Sequence, residues 1–335
     1  MKILTLLLGF FSILSTSGLA VAATRDLPVI SLEGVTQGTT YHIRYLDGQQ
    51  RNFKQLVDSV LMDIDKCLST YRTDSEISLF NQSDQYEFQL PYFYPVLKKS
   101  AEVYVATQGA FDPTVMPLVA AYRAAKKTGK LTSPRRVDSL LQYVGFHLIS
   151  FDEFSVRKLN TNVRLDFDAI AQGYTVDVMA ALLESKGITS YMVEVGGELR
   201  SKGKKSDHAY WTIGIENPFH SDGLQSVMRL VDKAAATSGN YRNYYKQNGH
   251  TYSHIIDPRT GYSRQDPLQS ATVFANDAMT ADAYATAFLV MGLEATKQFL
   301  SGRHDLDAYL IYADDKGTLK TYATAGIKND VVPGR

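Results

Sequence analysis

The chain has 335 residues and balanced charge, with 35 Lys or Arg against 35 Asp or Glu. A chain without net charge has no overall field to attract polyanions, so we expect no nucleic-acid partner. Hydrophobic residues make up 44% and charged residues 21%, ordinary globular values that exclude disorder throughout the chain.

The first 22 residues have the three parts of a secretory signal peptide. Lys2 supplies a positive charge, the stretch 3–14 is apolar, and small residues up to Ala22 and Ala23 suit a cleavage site. The apolar stretch is too short to span a bilayer, which takes about 20 apolar residues. We expect residues 1–22 to be removed and residues 23–335 to be exported as a single domain of two closely packed subdomains. In a Gram-negative cell the destination is the periplasm, and no cysteine near the cut could carry a lipid.

Cys67 is the only cysteine, which excludes an internal disulfide, and no Cys/His cluster offers a structural zinc site. It lies in a stripe of apolar residues that recur every three or four positions from Leu56 to Tyr71. We therefore expect a packed, unreactive thiol.

Strands, hairpins and helices are interspersed along the chain. In chain order we predict a strand over 40–46, helices over 53–68, 95–109, 133–145 and 170–186, strands over 191–195 and 211–215, a hairpin of 241–246 with 251–256, a strand over 271–274, a helix over 278–300 that breaks at Gly292, and a final hairpin over 308–323. Hairpins outnumber βαβ units, so the pattern favours an α+β fold over a doubly wound sheet. Short polar segments at 129–135 and 203–210 are candidate linkers.

Familiar enzyme motifs are missing from the sequence. It contains no GxGxxG, Walker A, HExxH, GxSxG or EF-hand loop. Lys127-Thr128-Gly129 resembles an element of penicillin-recognising enzymes, but it precedes every SxxK in the chain. A serine acyl-enzyme is therefore disfavoured.

Polar residues and glycines concentrate in four segments, at 69–78, 109–114, 166–174 and 280–286. Asp282 and Thr286 stand four apart, on one helical face, and their oxygens suit Mg²⁺, although such pairs are also common on solvated helices. His254 ends a predicted strand just before a Pro/Gly turn, where catalytic groups often emerge; a half-buried structural histidine is the alternative. Two glycines between Glu194 and Glu198 would allow a ligand or another chain to approach the backbone closely, although ordinary turn chemistry explains them nearly as well.

Together and in this order, these segments resemble the ApbE family of FAD:protein FMN transferases. The similar stretches span nearly all of the chain after the leader: 38–41, 69–81, 109–119, 166–177, 194–198, 253–261 and 278–292. The resemblance implies a duplicated T-fold-like α+β architecture, with antiparallel sheets packed by helices and FAD bound between the two parts. It also implies transfer of FMN from FAD to a threonine of a target protein, with Mg²⁺, a phosphoester product and release of AMP.

The resemblance also assigns residues by motif. Asp282, Thr286 and the carbonyl of Ala169 correspond to metal ligands, and His254 corresponds to the histidine beside the reacting phosphate. Tyr71 corresponds to the aromatic residue that stacks on the isoalloxazine. The remaining FAD-contact positions are Gln37, Ala110, Phe111, Asp112, Asp166, Gln172 and Ile256.

Three positions depart from the family pattern. Gln37 stands where Met is common, which would alter packing against the flavin. Asp168 replaces a small residue beside the metal carbonyl, as a helix cap or an outer contact of the metal. Gln172 stands where Lys is usual, which leaves Mg²⁺ a larger share of the neutralisation of the FAD diphosphate.

The implied partners are FAD and acceptor redox proteins that carry an Asp-led segment ending in Ser/Gly-Ala-Thr. Subunits of sodium-pumping NADH:quinone reductase are examples, so inner-membrane-associated targets are expected. Residues 266–272 of this chain resemble such a segment, which raises self-flavinylation at Thr272, but Pro267 and Gln269 depart from it and 271 onward has the pattern of a core strand. Two other functions remain open: a Mg²⁺-dependent FAD pyrophosphatase that yields FMN and AMP, and a flavin carrier without turnover.

Overall fold

The computed structural model describes residues 27–128, 132–206, 209–217, 220–240, 244–247, 250–253, 255–264 and 266–333. Its strands are β1 (Val29–Thr36), β2 (Thr39–Leu46), β3 (Gln85–Glu87), β4 (Ile149–Phe151), β5 (Ser155–Lys158), β6 (Tyr191–Val195), β7 (Glu198–Lys202), β8 (Lys204–Ser206), β9 (Ala209–Asn217), β10 (His220–Leu230), β11 (Ala234–Gly239), β12 (Tyr244–Gln247), β13 (His250–Ser253), β14 (Leu268–Ala275), β15 (Asp307–Ala313), β16 (Leu319–Ala323) and β17 (Val331–Pro333). Its α-helices are α1 (Lys54–Leu68), α2 (Glu76–Gln82), α3 (Phe93–Ala106), α4 (Met116–Thr128), α5 (Pro134–Leu141), α6 (Ala171–Ser185), α7 (Ala278–Met291) and α8 (Leu293–Ser301).

An eight-stranded antiparallel sheet organises the molecule, in the order β1-β2-β6-β7-β11-β14-β15-β16. It consists of two quartets, β1-β2-β6-β7 and β11-β14-β15-β16, and within each quartet the spatial order follows the chain order. In both quartets a helix that packs on the sheet comes between the second and third strands: α6 in the first and α7 in the second. The duplicated α+β architecture expected from the sequence is therefore confirmed.

Helices α6 and α7 pack against each other on one face of this sheet. The main core lies beneath them, and its large side chains include Ile43, Tyr191 and Phe288, all fully buried. A four-stranded sheet, β17-β10-β9-β8, packs through Ile213 and Met228 against the opposite face of the second quartet. Burial on both faces explains why β14 is buried at nearly every position.

One short strand pairing joins the quartets. Strands β7 and β11 pair only through Ala234 with Arg200 and Ala235 with Leu199. Beyond Ala235, β11 continues along β14 as far as Gly239, away from β7. The sheet therefore parts at the joint between its halves.

Most predicted elements are confirmed, with shifts at their ends. Strand 191–195 is found at its predicted bounds, and the helix predicted over 278–300 breaks at Gly292, whose φ is +82°. Two helix ends were wrong: the helices predicted to close at Gly109 and Gly145 end at Ala106 and Leu141. The linker predicted at 203–210 was also wrong, because it contains β8 and the start of β9. Residues 129–131, 207–208, 241–243 and 248–249 lie outside the described residues.

The predicted apolar stripe around Cys67 is confirmed only in part. Val57, Leu61, Ile64, Cys67 and Leu68 are buried on α1, and burial raises the pKa of the Cys67 thiol, as expected for an unreactive cysteine. Tyr71 does not belong to the stripe, because α1 ends at Leu68 and the side chain of Tyr71 is exposed. In the described part of the chain, no helix combines the length and the apolar character needed to cross a membrane.

Candidate functional site

A cavity of about 540 Å³ opens where β7 and β11 separate. Both halves of the molecule line it: Gln172, Gly196 and Glu198 belong to the first, and Ser238, Asp282 and Thr286 to the second. Of the residues assigned from the sequence, the structure brings together Tyr71, Ala110, Phe111, Asp112, Asp166, Ala169, Gln172, Ile256, Asp282 and Thr286. The sequence predicted that FAD binds between two parts of the fold, and this cavity lies between two such parts; FAD binding there stays a prediction.

The turn between β6 and β7 forms one wall and depends on glycine. Gly196 has a φ of +65°, and a Cβ there would lie 2.7 Å from Nε2 of Gln172. Glu194 fixes the turn, because its Oε1 accepts a hydrogen bond from the amide of Gly197 at 2.8 Å. The side-chain amide of Gln172 thus lies directly against exposed backbone, close to the start of α6.

Asp282 is the most buried carboxylate of the cavity wall, with 5% of its surface exposed. Its Oδ2 accepts a hydrogen bond from the amide of Gly173 at 3.0 Å. Burial and the nearby charge of Asp168 raise its pKa, against the hydrogen bond from Gly173. The side chain is therefore a buried acid, and the one described charge that shifts its pKa is another acid.

Ala169, whose carbonyl precedes α6, lines the same cavity as Asp282. In a regular helix the amide of Gly173 would donate to this carbonyl, four residues back. Among the described residues that amide is instead directed to Asp282. Thr286, one turn after Asp282, exchanges a hydrogen bond of 3.0 Å with the hydroxyl of Ser238 on β11. The residues that line this corner of the cavity, Asp282, Thr286 and Ala169, thus carry carboxylate, hydroxyl and backbone carbonyl oxygens.

Two more carboxylates precede α6. Asp166 is buried. Its Oδ1 accepts a hydrogen bond of 2.9 Å from the amide of Asp168, and its amide donates one of 2.8 Å to the carbonyl of Pro113. Burial, followed by the charge of Asp168, raises the pKa of Asp166. Asp168 is half exposed and pairs with Arg123, whose Nη2 lies 3.1 Å from Oδ2. The sequence did not predict this ion pair.

The floor of the cavity includes Ala110, Phe111 and Asp112. Oδ1 of Asp112 caps a short 3₁₀ helix by accepting from the amide and hydroxyl of Thr114, and Oδ2 accepts from the amide of Phe146. Burial raises the pKa of Asp112 to about 6 in spite of these hydrogen bonds. Asp112 therefore holds the loop that carries Ala110 and Phe111.

Tyr71 stands at the edge of the cavity, with 76% of its surface exposed. Helix α4 contributes Arg123 and Lys126 to the same wall, and sequence analysis missed both. Only Leu118 of α4 is fully buried, so the helix lacks the strong apolar stripe that would have revealed it. The spacing of Val119, Tyr122, Arg123 and Lys126 is the one signal that could have found this face.

Two of the residues predicted for the site, Gln37 and His254, are not among the residues described in the cavity lining. Gln37 is not part of the cavity lining; its Nε2 donates to the Thr175 hydroxyl at 2.7 Å on the inner side of α6. His254 lies outside the described residues, although Ile255 and Ile256, which follow it, line the cavity. The roles of Gln37 and His254 remain predictions.

Thr272, the candidate for self-flavinylation, lies within the sheet. Its surface is 1% exposed, and its hydroxyl shares a hydrogen bond of 2.9 Å with Thr237 on β11. A hydroxyl so placed has no room for an incoming flavin phosphate.

The part of the chain that the structure describes holds no group of three or more His, Cys, Asp or Glu arranged to bind a metal. A cation at the corner of Asp282 would thus have few protein ligands.

Comparison with known proteins gives consistent results. Residues 37–310 match the ApbE family. The chain is 34% identical to a protein of Haemophilus influenzae named FAD:protein FMN transferase, over 96% of each chain. It is also 34% identical to a Vibrio cholerae protein of the same name, over 89% of this chain and 92% of the other.

Solved structures agree. The flavin transferase ApbE from Vibrio cholerae superposes with a TM-score of 0.80 at 32% identity, covering 91% of this chain and 99% of the other. The apo form of the Pseudomonas stutzeri flavinyl transferase ApbE gives 0.79 at 28% identity, covering 90% and 96%. By sequence and by fold, this chain belongs to the ApbE family.

Proposed function

We propose that this protein transfers FMN from FAD to a threonine of an acceptor protein and releases AMP. The observation that carries the proposal is the cavity at the joint of the two halves. It combines an exposed aromatic ring, Tyr71, with a buried oxygen-lined corner at Asp282 and Thr286. Relatives that match over almost the full length are named FAD:protein FMN transferase, which supports the same activity here.

The corner at Asp282 fits a hard divalent cation. All three candidate ligands, Asp282, Thr286 and the Ala169 carbonyl, offer oxygen, and the buried carboxylate has no described cationic side chain to neutralise it. Mg²⁺ is commonly held by one or two protein carboxylates and fills its other positions with water and substrate phosphate. Bound there, Mg²⁺ would neutralise charge on the diphosphate of FAD as AMP departs.

The protein's own residues would bind and orient the two substrates. The ring of Tyr71 offers a stacking surface for the isoalloxazine at the edge of the cavity. The amide of Gln172 and the glycine turn at Gly196 present uncharged polar groups where the diphosphate would lie. His254 would accept the proton of the attacking hydroxyl, a role predicted from sequence. Positioning of the phosphate and the hydroxyl would then supply most of the acceleration.

One experiment separates this function from its alternatives. The purified protein is incubated with FAD and Mg²⁺, with and without a peptide that ends in Ser-Ala-Thr, and the products are read by mass spectrometry. A peptide that gains the mass of FMN supports the transferase. FMN and AMP released equally without peptide indicate a pyrophosphatase, and unchanged FAD indicates a carrier; either result overturns the proposal.

We also propose that the protein acts after export, on acceptor redox proteins at the outer face of the inner membrane. The leader-like residues 1–22 support export. Expression of the full chain in a Gram-negative host, followed by mass spectrometry of the periplasmic fraction, should find a protein that begins at about residue 23. Recovery of the intact chain from the cytoplasm alone would contradict export.

A further inference from the structure

Tyr71, Arg123 and Asp168 form a cluster at the edge of the cavity, here called the rim cluster. Its members come from the loop after α1, from α4 and from the loop before α6, and all three line the cavity. We propose that Arg123 and Asp168 are positioning residues that hold the ring of Tyr71 ready to stack on the isoalloxazine of FAD. This inference rests on the proposed function and adds two residues to it.

The exposure of Tyr71 is the first step. A large aromatic side chain that is 76% exposed keeps most of its rotational freedom unless neighbours restrain it. A ligand that stacks on a mobile ring must also order it, and this cost weakens binding. A restrained ring avoids that cost. Any group that orders Tyr71 before the flavin arrives therefore raises the affinity for flavin.

The contacts of Tyr71 supply this restraint. The guanidinium carbon of Arg123 lies over the ring, 5.8 Å from its centroid, within the range of a cation–π contact. The phenol oxygen is 3.5 Å from Oδ2 of Asp168, a long hydrogen bond. Arg123 occupies only one face of the ring, so the other face remains for a planar ligand.

Asp168 and Arg123 are themselves fixed. Their ion pair of 3.1 Å joins α4 to the loop before α6. That loop is held just before Asp168: the carboxylate of Asp166 accepts a hydrogen bond from the amide of Asp168, and the amide of Asp166 donates one to the carbonyl of Pro113. The rim cluster therefore restrains Tyr71 against two rigid parts of the fold.

A direct contact between Arg123 and the FAD phosphates would also make Arg123 important, so the test must separate the two roles. Riboflavin has the isoalloxazine but no phosphate. If Arg123 only bound phosphate, its removal would leave riboflavin binding unchanged. If it positions Tyr71, riboflavin binding must weaken as well.

The experiment titrates riboflavin, without Mg²⁺, into the unsubstituted protein and into variants Arg123→Met, Asp168→Asn and the double variant. A stacked tyrosine quenches flavin fluorescence, so quenching at saturation reports the position of the ring, and Tyr71→Leu provides the unquenched reference. Arg229→Met is the matched control: it removes an ion pair of equal length and similar exposure from β10, outside the cavity. Unfolding midpoints of all variants should agree, because exposed ion pairs contribute little stability.

We expect each single variant to raise the riboflavin Kd about two- to tenfold and to reduce the quenching. The double variant should be no worse than the poorer single variant, because both changes break the same restraint. Arg229→Met should match the unsubstituted protein. Unchanged riboflavin affinity and quenching in Arg123→Met would overturn the inference, even if FAD affinity fell. The proposed function would survive that result, since FMN transfer by the unsubstituted protein is measured separately.

Discussion

The backbone amide of Gly173 on α6 donates to the carboxylate of Asp282 on α7 at 3.0 Å, across 109 positions of sequence. A Cβ on residue 173 would collide with the carbonyl oxygen of Ala278 and lie 2.7 Å from the Cβ of Asp282. Glycine is therefore what lets the two helices approach until a backbone amide can reach a buried acid. This contact aligns the first half of the molecule with the corner predicted to bind the cation.

Gly173→Ala should push α6 away from α7. We expect the free energy of unfolding to fall by about 1–3 kcal/mol, the usual cost of overpacking a rigid contact. The affinity for Mg²⁺ should fall too, since Ala169 and Asp282 would separate. Urea denaturation and calorimetry measure the two effects. Gly302→Ala is the control, because a Cβ there meets nothing within 4 Å; equal effects of both substitutions would contradict the role of the contact.

Asp282→Asn should stabilise the metal-free protein at pH 7. The amide keeps the shape of the side chain and an acceptor for Gly173, and it removes a buried charge without a cationic partner, so we expect a gain of about 1–2 kcal/mol. Mg²⁺ should raise the melting temperature of the unsubstituted protein but not of Asp282→Asn. Equal Mg²⁺-dependent shifts in both proteins would place the cation elsewhere.

The stability of the metal-free protein should also depend on pH through Asp282. Because the pKa of Asp282 is raised in the fold, the folded chain holds this proton more tightly than the unfolded chain. The metal-free stability should thus fall as the pH rises from the ordinary carboxyl range through the raised pKa. Thermal unfolding of both proteins across this range checks the point: the stability difference should grow with pH in favour of Asp282→Asn.

His254→Ala should separate binding from transfer. The variant should bind FAD with nearly normal affinity, while FMN transfer slows by about 10²- to 10⁴-fold, the usual contribution of a general base. Equilibrium titration with FAD and single-turnover transfer to a peptide measure the two steps. Transfer at the normal rate would remove His254 from the mechanism.

The stability should show a second pH dependence through Lys158, which lies away from the cavity. Its ammonium group is buried beside the carbonyl of Asn81, 3.1 Å away, and the ring of Phe80, and burial lowers its pKa to about 8. Since the unfolded chain holds this proton up to about pH 10.4, the contribution of Lys158 to stability should rise by about 1–3 kcal/mol between pH 7 and pH 10.

Lys158→Met isolates that contribution. The stability of the unsubstituted protein relative to this variant should increase over the same pH range, because all other titrating groups are shared. Chemical denaturation at pH 7, 8, 9 and 10 provides the comparison. A constant difference would show that Lys158 titrates alike in the folded and unfolded chains.

The sequence revealed the elements whose pattern is local. The helix break at Gly292 and the strand 191–195 follow from periodicity and from glycine, both readable over a few residues. The candidate site could be assembled by resemblance because its residues lie in segments with distinctive order, and the cavity brings most of them together.

Features that depend on distant partners were not predictable. Arg123 pairs with Asp168 across 45 positions, and α4 carries its cavity-lining residues without a strong apolar stripe. Asp168 was interpreted as a cap or an outer metal contact because its partner could not be seen in the sequence. Tyr71 was placed in the α1 stripe for a similar reason: the spacing continues past Leu68, but the helix does not.

The joint between β7 and β11 has two registered pairs, whereas the other neighbours in the same sheet have at least five. A ligand that contacts both walls there would stabilise the junction that has the fewest backbone pairs in the sheet. We therefore expect bound nucleotide to raise the resistance of the chain to proteolysis at this joint.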